Sequence, residues 1–349
     1  MKPILKWTGG KSSEIPEIKE RMPSTYNRYV EPFLGGGAIF FEFEKNNSIV
    51  NDFNTELIQF YSLLNNQSEY AIFETIIKQA HLERLTVNGL DFLDLSVPEI
   101  DTLVKNISTE PEYKKFLERE LKSKTKTIAR INDQNLSNAL PPLTSIEVAT
   151  QYTTAVNAAL YYSYRSKYNA KNIAHVYDVE HLAYWFIMRE LAYSGMFRFG
   201  KNGQFNIPYG GISYNSKNLL TKLDRIHAIQ QTEFYGTTEF NNLDFEEFFN
   251  KYDYFTEDDF IFLDPPYDST FSQYNKDQDF THTDQVRLRD VLLKTKAKCM
   301  VVIKDTDYIR SLYAKDFKIG TITKTYTVNF RKERNDKNKE VIHLYITNY

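Results

Sequence analysis

Apolar and polar positions alternate in two different ways along the chain, and the change marks its organisation. Near the start, a short apolar run predicts a strand at Tyr29–Glu31, followed by a glycine loop and an apolar segment, 38–44, that can form a helix. The stretch SIVNDFN predicts a second strand, which ends at Asn51 and Asp52. The helix after it has apolar residues at 3–4 spacing and Asn54 as its N-cap. These elements predict an α/β fold.

The middle of the chain has helical spacing and no strand alternation. Apolar positions at 3–4 spacing predict helices around residues 73–80, 148–160 and 182–189. NALPPLTS (138–145) predicts a linker between helices, and RFGKNGQFNIPYGG (198–211) predicts a glycine-bearing loop or hairpin.

Strand patterns return towards the end of the chain. FIFLDPP predicts a buried strand, the helix after it is predicted to be capped by Thr283, and CMVVIK predicts another buried strand. The segments IGTITKTYTV and VIHLYIT predict an antiparallel hairpin. We therefore predict a catalytic domain of residues 1–56 and 237–349, interrupted by a helical insertion of residues 57–236.

Composition narrows the class of protein without indicating a function. The 349 residues are 42% hydrophobic and 26% charged, and no apolar run is long enough to predict a membrane span. The single Cys299 excludes an internal disulfide, and the histidines lack metal-ligand spacing, so we expect a cytoplasmic protein with no metal. Net charge is −3, but 112–130 and 329–339 are rich in Lys and Arg, which by themselves indicate a solvated helix face and a loop.

The glycine loop is followed by an acidic residue at a spacing typical of nucleoside sites. VEPFLGGGA (30–38) follows the first strand, and Asp52 ends the second. Glycines let the backbone approach a ligand, and an acid at this position accepts hydrogen bonds from ribose hydroxyls. The chain has neither a dinucleotide fingerprint nor a phosphate loop. The pattern predicts an adenosine-like ligand without a phosphate chain, although a glycine turn alone can be purely structural.

The stretch FLDPPYD (262–268) places an acid, two prolines and a tyrosine where a strand must end, because proline cannot continue a sheet ladder. Asp264 and the Pro265 carbonyl can each accept a hydrogen bond from one N–H of an aromatic amino group, which directs the nitrogen lone pair at an electrophile. Pro266 helps to hold that turn, and Tyr267 can stack on the base. The alternative is a strand-terminating turn with a capping Asp.

Several motifs, in this order, resemble those of bacterial and phage DNA adenine-N6 methyltransferases of the Dam and D12 class. They are LKWTGGK (5–11), EPFLGGGAIFF (31–41), NDFN (51–54), AYSGMFRFGKNGQFNIPYG (192–210), LDPPY (263–267) and the end of the chain from residue 331. The resemblance implies a Rossmann-like seven-stranded sheet with an inserted helical DNA-recognition domain. It also implies S-adenosylmethionine as methyl donor, with S-adenosylhomocysteine as product. Residues from about 66 to 150 match no pattern of the family.

The resemblance further implies roles for individual residues. Lys11 is expected near the methionine carboxylate of the cofactor, Asp52 on the ribose, and Asp244 or Phe245 on the adenine ring. The complete set of candidate cofactor-binding residues is Trp7, Lys11, Glu31, Pro32, Phe33, Gly35, Asp52, Phe53, Asp244, Phe245 and Asp264.

The resemblance implies double-stranded DNA as the partner, with the target adenine flipped out of the helix. It also allows the protein to function beside a cognate restriction endonuclease. The candidate DNA-binding residues are Lys6, Tyr193, Ser194, Met196 and Arg198. An arginine fork can read a guanine edge, which makes Arg198 the candidate for base recognition. Ser194 and Met196 differ from the Asn and Leu of GATC-specific members, so a GATC target is not implied.

Two other functions are compatible with parts of this pattern. Methyltransferases of ribosomal RNA bases or of protein glutamine also carry an acid-Pro-Pro-aromatic motif after this strand, although the long insertion favours duplex DNA. A catalytically inactive DNA-binding relative is the second alternative, and the intact Lys11, Asp52 and 264–267 argue against it.

Overall fold

The structure, a computed structural model, describes residues 1–7, 9–88, 111–267, 280–327 and 338–349. It divides into a sheet unit, Met1–Asn65 with His227–Tyr349, and a helical unit, Asn66–Ile226. Most of the basic segment predicted at 329–339 lies outside the described residues.

The described strands of the sheet unit form one seven-stranded sheet in the order β3-β2-β1-β4-β5-β7-β6. β1 to β5 run parallel to one another, and β7 runs antiparallel to both β5 and β6. The strands are β1 Tyr29–Glu31, β2 Ile49–Asn51, β3 Glu239–Asn241, β4 Phe260–Leu263, β5 Lys298–Lys304, β6 Lys318–Thr327 and β7 Asn338–Thr347. The predicted α/β fold, its strands and its terminal hairpin are confirmed.

Helices alternate with strands along most of this unit. They are α1 Ile15–Arg21, α2 Phe40–Phe43, α3 Thr55–Leu63, α9 Glu233–Gly236, α10 Phe245–Lys251, α11 His282–Lys294 and α12 Asp307–Tyr313. Asn54 caps α3 as predicted, since its side chain accepts from the Leu57 N–H. The predicted cap of α11 is wrong: Thr281, not Thr283, accepts from the Asp284 N–H in a reciprocal capping box.

The central strands are buried along their whole length. All four residues of β4 are buried, as are five of the seven in β5. Parallel strands covered by helices on both faces have continuous apolar sequences rather than alternation, which explains the FIFL and CMVVI runs. This rigid core fixes the positions at which the loops after β1, β2 and β4 begin.

Residues 57–65 and 227–236 belong to the sheet unit, although the sequence predicted them in the insertion. The reason is aromatic packing. The Tyr61 ring of α3 contacts Phe41 and Phe240, and the Tyr235 hydroxyl donates to the Tyr61 carbonyl at 2.6 Å. The role of the insertion in DNA recognition stays a prediction.

The helical unit is built from long helices. They are α4 Gln67–Asn88, α5 Pro111–Ser137, α6 Ser145–Ile173, α7 Val179–Leu191 and α8 Leu220–Gln230, of which α8 continues into the sheet unit. The predicted linker precedes α6, which begins with a capping box between Thr144 and Glu147. No helix in the described ranges is both long and apolar enough to cross a membrane.

Candidate active site

Three acidic residues lie where neighbouring strands of the sheet end. Glu31 is the last residue of β1, Asp52 directly follows β2, and Asp264 directly follows β4. Because β2, β1 and β4 are adjacent and parallel, all three acids lie at one carboxyl edge, the place where open α/β sheets bind ligands. The sequence predicted each of these residues separately, and the sheet order brings them together.

Asp264 pairs with Lys11, a residue 253 positions away in the chain. The Lys11 ammonium contacts Asp264 Oδ1 and donates to the Tyr267 hydroxyl at 2.9 Å, while its side chain is only 2% exposed. Burial raises the pKa of Asp264, and the charge and hydrogen bond of Lys11 oppose that rise. Asp264 Oδ2 accepts no hydrogen bond from the described residues. The pair therefore leaves one carboxylate oxygen for a ligand.

The proline turn after Asp264 is held by a residue that the sequence did not indicate. Pro265 is buried and Pro266 is exposed. The Gln285 side chain of α11, fully buried, donates from Nε2 to the Pro266 carbonyl at 3.2 Å. A Gln at a position on the apolar face of a predicted helix is the sequence signal that could have identified Gln285, because a buried amide needs a hydrogen-bond partner.

The glycine loop packs against Trp7. Gly35 has φ +49°, and a Cβ at this position would lie 3.2 Å from Trp7 Cδ1. A Cβ at Gly36 would lie 2.8 Å from Trp7 Cβ, closer than real contacts allow. Trp7 itself is partly buried. The loop therefore needs glycine both for its backbone conformation and for the approach of the Trp7 side chain.

Asp52 also organises this loop. Its Oδ2 accepts from the Gly35 N–H at 2.8 Å, and its Oδ1 accepts from the Asn54 N–H at 2.8 Å. Burial raises the pKa of Asp52, and these two backbone hydrogen bonds oppose the rise. A carboxylate oxygen can accept a second hydrogen bond, so both contacts are compatible with binding a hydroxyl.

Asn51 fixes the loops on either side of Asp52 and was not predicted as a site residue. Its Nδ2 donates to the carbonyls of Pro32 and Leu243 at 3.0 and 3.1 Å, and its Oδ1 accepts from the Leu243 N–H at 2.9 Å. One fully satisfied, buried amide thus joins the loops that follow β1 and β3.

Glu31 is buried beside the other two acids. The Tyr29 hydroxyl donates to its Oε2 at 2.8 Å. Burial raises the pKa of Glu31 well above its usual range, and the negative charges of Asp264 and Asp52 add to the rise, while the hydrogen bond from Tyr29 opposes it. These effects favour the protonated form of Glu31, so the three carboxyl groups at this edge differ in their tendency to ionise.

A buried pair of polar side chains, Glu14 and His343, lies behind Tyr267. His343 of β7 and Glu14 are 1% and 2% exposed, and His343 Nδ1 is 2.8 Å from Glu14 Oε2. The His343 ring packs edge-on against the Tyr267 ring, with centroids 5.5 Å apart. Glu14 and His343 lie 329 positions apart and belong to no recognisable motif, so the sequence alone could not associate them.

Aromatic rings and a second ion network lie beside the glycine loop. Phe33, Phe245 and Phe280 contact one another with centroids 5.6 to 5.8 Å apart, and Phe245 is buried. Asp244 caps α10 and accepts from Arg287 at 2.7 Å. Among these predicted residues, Asp244 and Phe245 thus have structural partners already.

Phe53, predicted at the same site, has a different environment. Its side chain is 52% exposed directly after Asp52. An exposed aromatic ring at the edge of a nucleoside site can stack on a planar ligand.

The predicted DNA-binding residues of the helical unit are all on its surface. Tyr193, Ser194, Met196 and Arg198 are exposed, and Ser194 has a left-handed backbone, φ 55°. The Arg198 Nε donates to Asn206 Oδ1 at 3.4 Å. Lys6, the remaining candidate, is exposed on the sheet unit.

Helix α6 supports the predicted hairpin from beneath. Phe199 and Phe205 form a bridge across it. Asn169 donates to the Phe205 carbonyl at 3.1 Å and accepts from the Phe205 N–H at 2.8 Å, and the Tyr161 hydroxyl donates to the Ile207 carbonyl at 2.9 Å. These bonds hold 198–211 against a helix, so the exposed Arg198 stands on an ordered support. Within the described ranges, no group of three or more His, Cys, Asp or Glu side chains could hold a metal ion.

Comparison with known proteins shows which proteins this chain is similar to. The chain is 27% identical to the type II methyltransferase M.CviBI of Paramecium bursaria Chlorella virus NC1A, over all of both chains. It is also 27% identical to the type II methyltransferase M1.LlaDCHI of Lactococcus lactis subsp. cremoris, over 100% of this chain and 96% of the relative. A third relative, the retron Ec67 DNA adenine methylase of Escherichia coli, is 27% identical over 90% of this chain and 81% of its own.

A family model covers most of the chain as well. It matches residues 7–135 and 117–328, which include the glycine loop, the hairpin and the Asp264 turn. The chain therefore belongs to the D12 class of N6 adenine-specific DNA methyltransferases, and it transfers a methyl group to N6 of adenine in DNA.

Proposed function

We propose that the methyl donor is S-adenosylmethionine and that the target adenine is flipped out of a short, specific duplex sequence. The observation that carries the proposal is the set of three acids at one sheet edge, paired with one buried lysine and followed by the proline turn.

The residues present fit this donor. S-adenosylmethionine, when bound, supplies the methyl group from a cationic sulfur centre, and this edge offers it the carboxyl groups of Glu31, Asp52 and Asp264 as hydrogen-bond partners. We assign the ribose to Asp52, the methionine carboxylate to Lys11, and stacking on the adenine ring of the donor to Phe53. The remaining predicted contacts, Trp7, Pro32, Phe33, Gly35, Asp244 and Phe245, shape the walls around this edge.

Asp264 and the Pro265 carbonyl act on the substrate adenine. Each accepts a hydrogen bond from one proton of the amino group, which reduces delocalisation of the nitrogen lone pair into the ring and directs it at the methyl group. Lys11 occupies Asp264 Oδ1 and leaves Oδ2 for this contact. Gln285 holds the turn at the Pro266 carbonyl. Preorganised acceptors of this kind cost no rearrangement during the reaction.

Tyr267 serves as the stacking surface for the flipped base. Its ring is partly exposed, and its hydroxyl accepts from Lys11 at 2.9 Å, which fixes the plane of the ring. A base removed from the duplex loses its stacking energy, and an aromatic side chain in the pocket replaces part of it.

A transfer assay with tritium-labelled donor tests the chemistry. Wild-type protein is expected to label duplex DNA at adenine N6 and to leave RNA and protein unlabelled. Label in RNA or protein at a comparable rate would contradict the substrate, and no label in any of the three would indicate an inactive relative. Single-molecule sequencing of DNA from a methylation-free host that expresses the gene then identifies the recognition sequence.

Arg198 is the proposed reader of one guanine in that sequence, because a guanidinium fork matches guanine O6 and N7 and lysine does not. Arg198→Ala is expected to relax specificity at one base pair by about 1–3 kcal/mol, with donor binding unchanged. The matched control is Lys201→Ala, since Lys201 is an exposed cation at the tip of the same hairpin. The rate of methylation of a panel of DNA sites, each with a single base changed, is measured for both protein variants. Equal loss of activity on every site by Arg198→Ala would make Arg198 a phosphate contact instead.

A cognate restriction endonuclease stays a prediction. Two of the relatives are named type II methyltransferases, and a third is named a retron adenine methylase, so the setting can differ among relatives. Once the sequence is known, protection of methylated DNA from an endonuclease that cuts the same site tests this partner.

A further inference from the structure

Helix α5, Pro111–Ser137, carries a basic stripe that the catalytic roles above do not use. The helix holds seven Lys and Arg residues against four Asp and Glu. Its buried positions, Tyr113, Leu117, Leu121 and Ile128, form one face. On the opposite face lie five basic residues, spaced 3 or 4 positions apart: Lys115, Arg119, Lys122, Lys126 and Arg130. We call these five the α5 stripe.

Most charges of the α5 stripe are available to a partner. Lys115, Lys122, Lys126 and Arg130 are exposed, and none forms an ion pair with another residue in the described ranges. Arg119 differs, because it pairs with Glu120 at 2.8 Å and stacks on Phe116. From Lys115 to Arg130 the helix rises about 22 Å, at 1.5 Å per residue. That length corresponds to about six base pairs of duplex DNA at 3.4 Å each.

The α5 stripe continues to the predicted hairpin within the helical unit. The Arg119 guanidinium lies 4.7 Å from the centre of the Tyr162 ring, and Arg165 lies 4.5 Å from the centre of the same ring. Arg165 then donates to the Ile207 carbonyl of the hairpin at 3.1 Å. A chain of contacts between cations and an aromatic ring therefore links α5 to the segment that carries Arg198. The positive charges of α5 and Arg165 therefore approach the hairpin that is proposed to read DNA, and they favour a polyanion as the ligand of this surface.

We propose that the α5 stripe binds the phosphate backbone of duplex DNA flanking the recognition sequence. Such contacts extend the bound length by about six base pairs and carry no sequence information, because phosphates are the same at every position. The inference rests on the proposed reading of duplex DNA by the hairpin. It adds a second binding surface, on a helix of the inserted helical unit.

The test is the triple variant Lys115→Gln, Lys122→Gln, Lys126→Gln in the full-length protein. These side chains are exposed, so the thermal unfolding temperature is expected to be unchanged. The matched control replaces three exposed lysines of the sheet unit, Lys294, Lys296 and Lys315, by Gln, which makes the same change in net charge. Both variants are assayed for DNA affinity between 50 and 200 mM salt and for turnover at saturating DNA.

Removing three phosphate contacts should reduce the slope of log affinity against log salt by about 2.7. Over the fourfold change in salt, wild type should lose about 40-fold more affinity than the stripe variant. Wild type should also prefer a duplex with long flanks over one trimmed close to the site, whereas the stripe variant should bind both alike. Turnover at saturating DNA and the preference for the recognition sequence should be those of wild type.

An unchanged salt slope and flank preference in the stripe variant would overturn the proposal, and so would an equal loss in the sheet-unit control. Either result would make the α5 stripe a solvated helix face or a surface for another partner. Failure of the proposed function is a separate result, since it would show as absent methyl transfer to DNA by wild type itself.

Discussion

Replacing Asp264 by Ala should damage both catalysis and folding, because this carboxylate has a proposed role in the reaction and a structural role beside Lys11. In the proposed function it accepts a hydrogen bond from the adenine amino group. As the anion beside Lys11, whose side chain is 2% exposed, it compensates a buried positive charge. Removing one partner of a buried ion pair costs about 3–5 kcal/mol, since the other charge stays desolvated. Removing one preorganised polar contact lowers turnover by about 10²-fold or more.

The two effects can be separated with a second substitution. For a unit of roughly 190 residues, a loss of 3–5 kcal/mol lowers the unfolding temperature by about 6–20 °C. In the double variant Lys11→Met, Asp264→Ala, neither charge is present, so most of that loss should be recovered. Methyl transfer should stay as low as in Asp264→Ala. Asp264→Asn, which keeps an oxygen for Lys11, should lose less stability than Asp264→Ala.

Calorimetric unfolding and single-turnover methyl transfer on the same four proteins provide the measurement. Wild-type turnover in Asp264→Ala would refute the role of Asp264 as acceptor. An unchanged unfolding temperature in that variant would refute the buried ion pair as a source of stability. Recovery of activity in the double variant would mean that Asp264 acts only by neutralising Lys11.

Three further predictions concern the cofactor loop and the helical unit. Asp52→Ala should weaken S-adenosylmethionine binding by about 1.5–3 kcal/mol, and unchanged affinity by titration calorimetry would remove Asp52 from the ribose. Gly36→Ala should cost about 1–3 kcal/mol of stability, because its Cβ would lie 2.8 Å from Trp7 Cβ, and thermal unfolding measures this loss. Burial lowers the pKa of His181 to about 4, from 6.5 when unfolded, so the unfolded state binds a proton that the folded state does not. Stability should therefore fall by up to about 3 kcal/mol as pH drops from 6.5 towards 4, and urea denaturation of His181→Phe should show a weaker dependence.

The sequence by itself determined the elements whose signals are local. The strands at Tyr29–Glu31 and Phe260–Leu263, the cap at Asn54 and the terminal hairpin follow from spacing and side-chain chemistry within a few residues. Local signals fail where two neighbouring residues offer the same chemistry, as Thr281 and Thr283 do for the cap of α11. They also fail for β3, because its three residues are too few to establish a period of two.

Only the tertiary structure decided which side chains meet. Lys11 with Asp264 and Glu14 with His343 are separated by 253 and 329 positions, and Gln285 and Pro266 are separated by 19 positions. Such partners depend on strand order and on helix packing against the sheet. Periodicity reports which face of an element is buried, but it does not report which other element covers that face. The motifs therefore located the candidate site, whereas the buried polar partners that position its residues could be identified only in the folded chain.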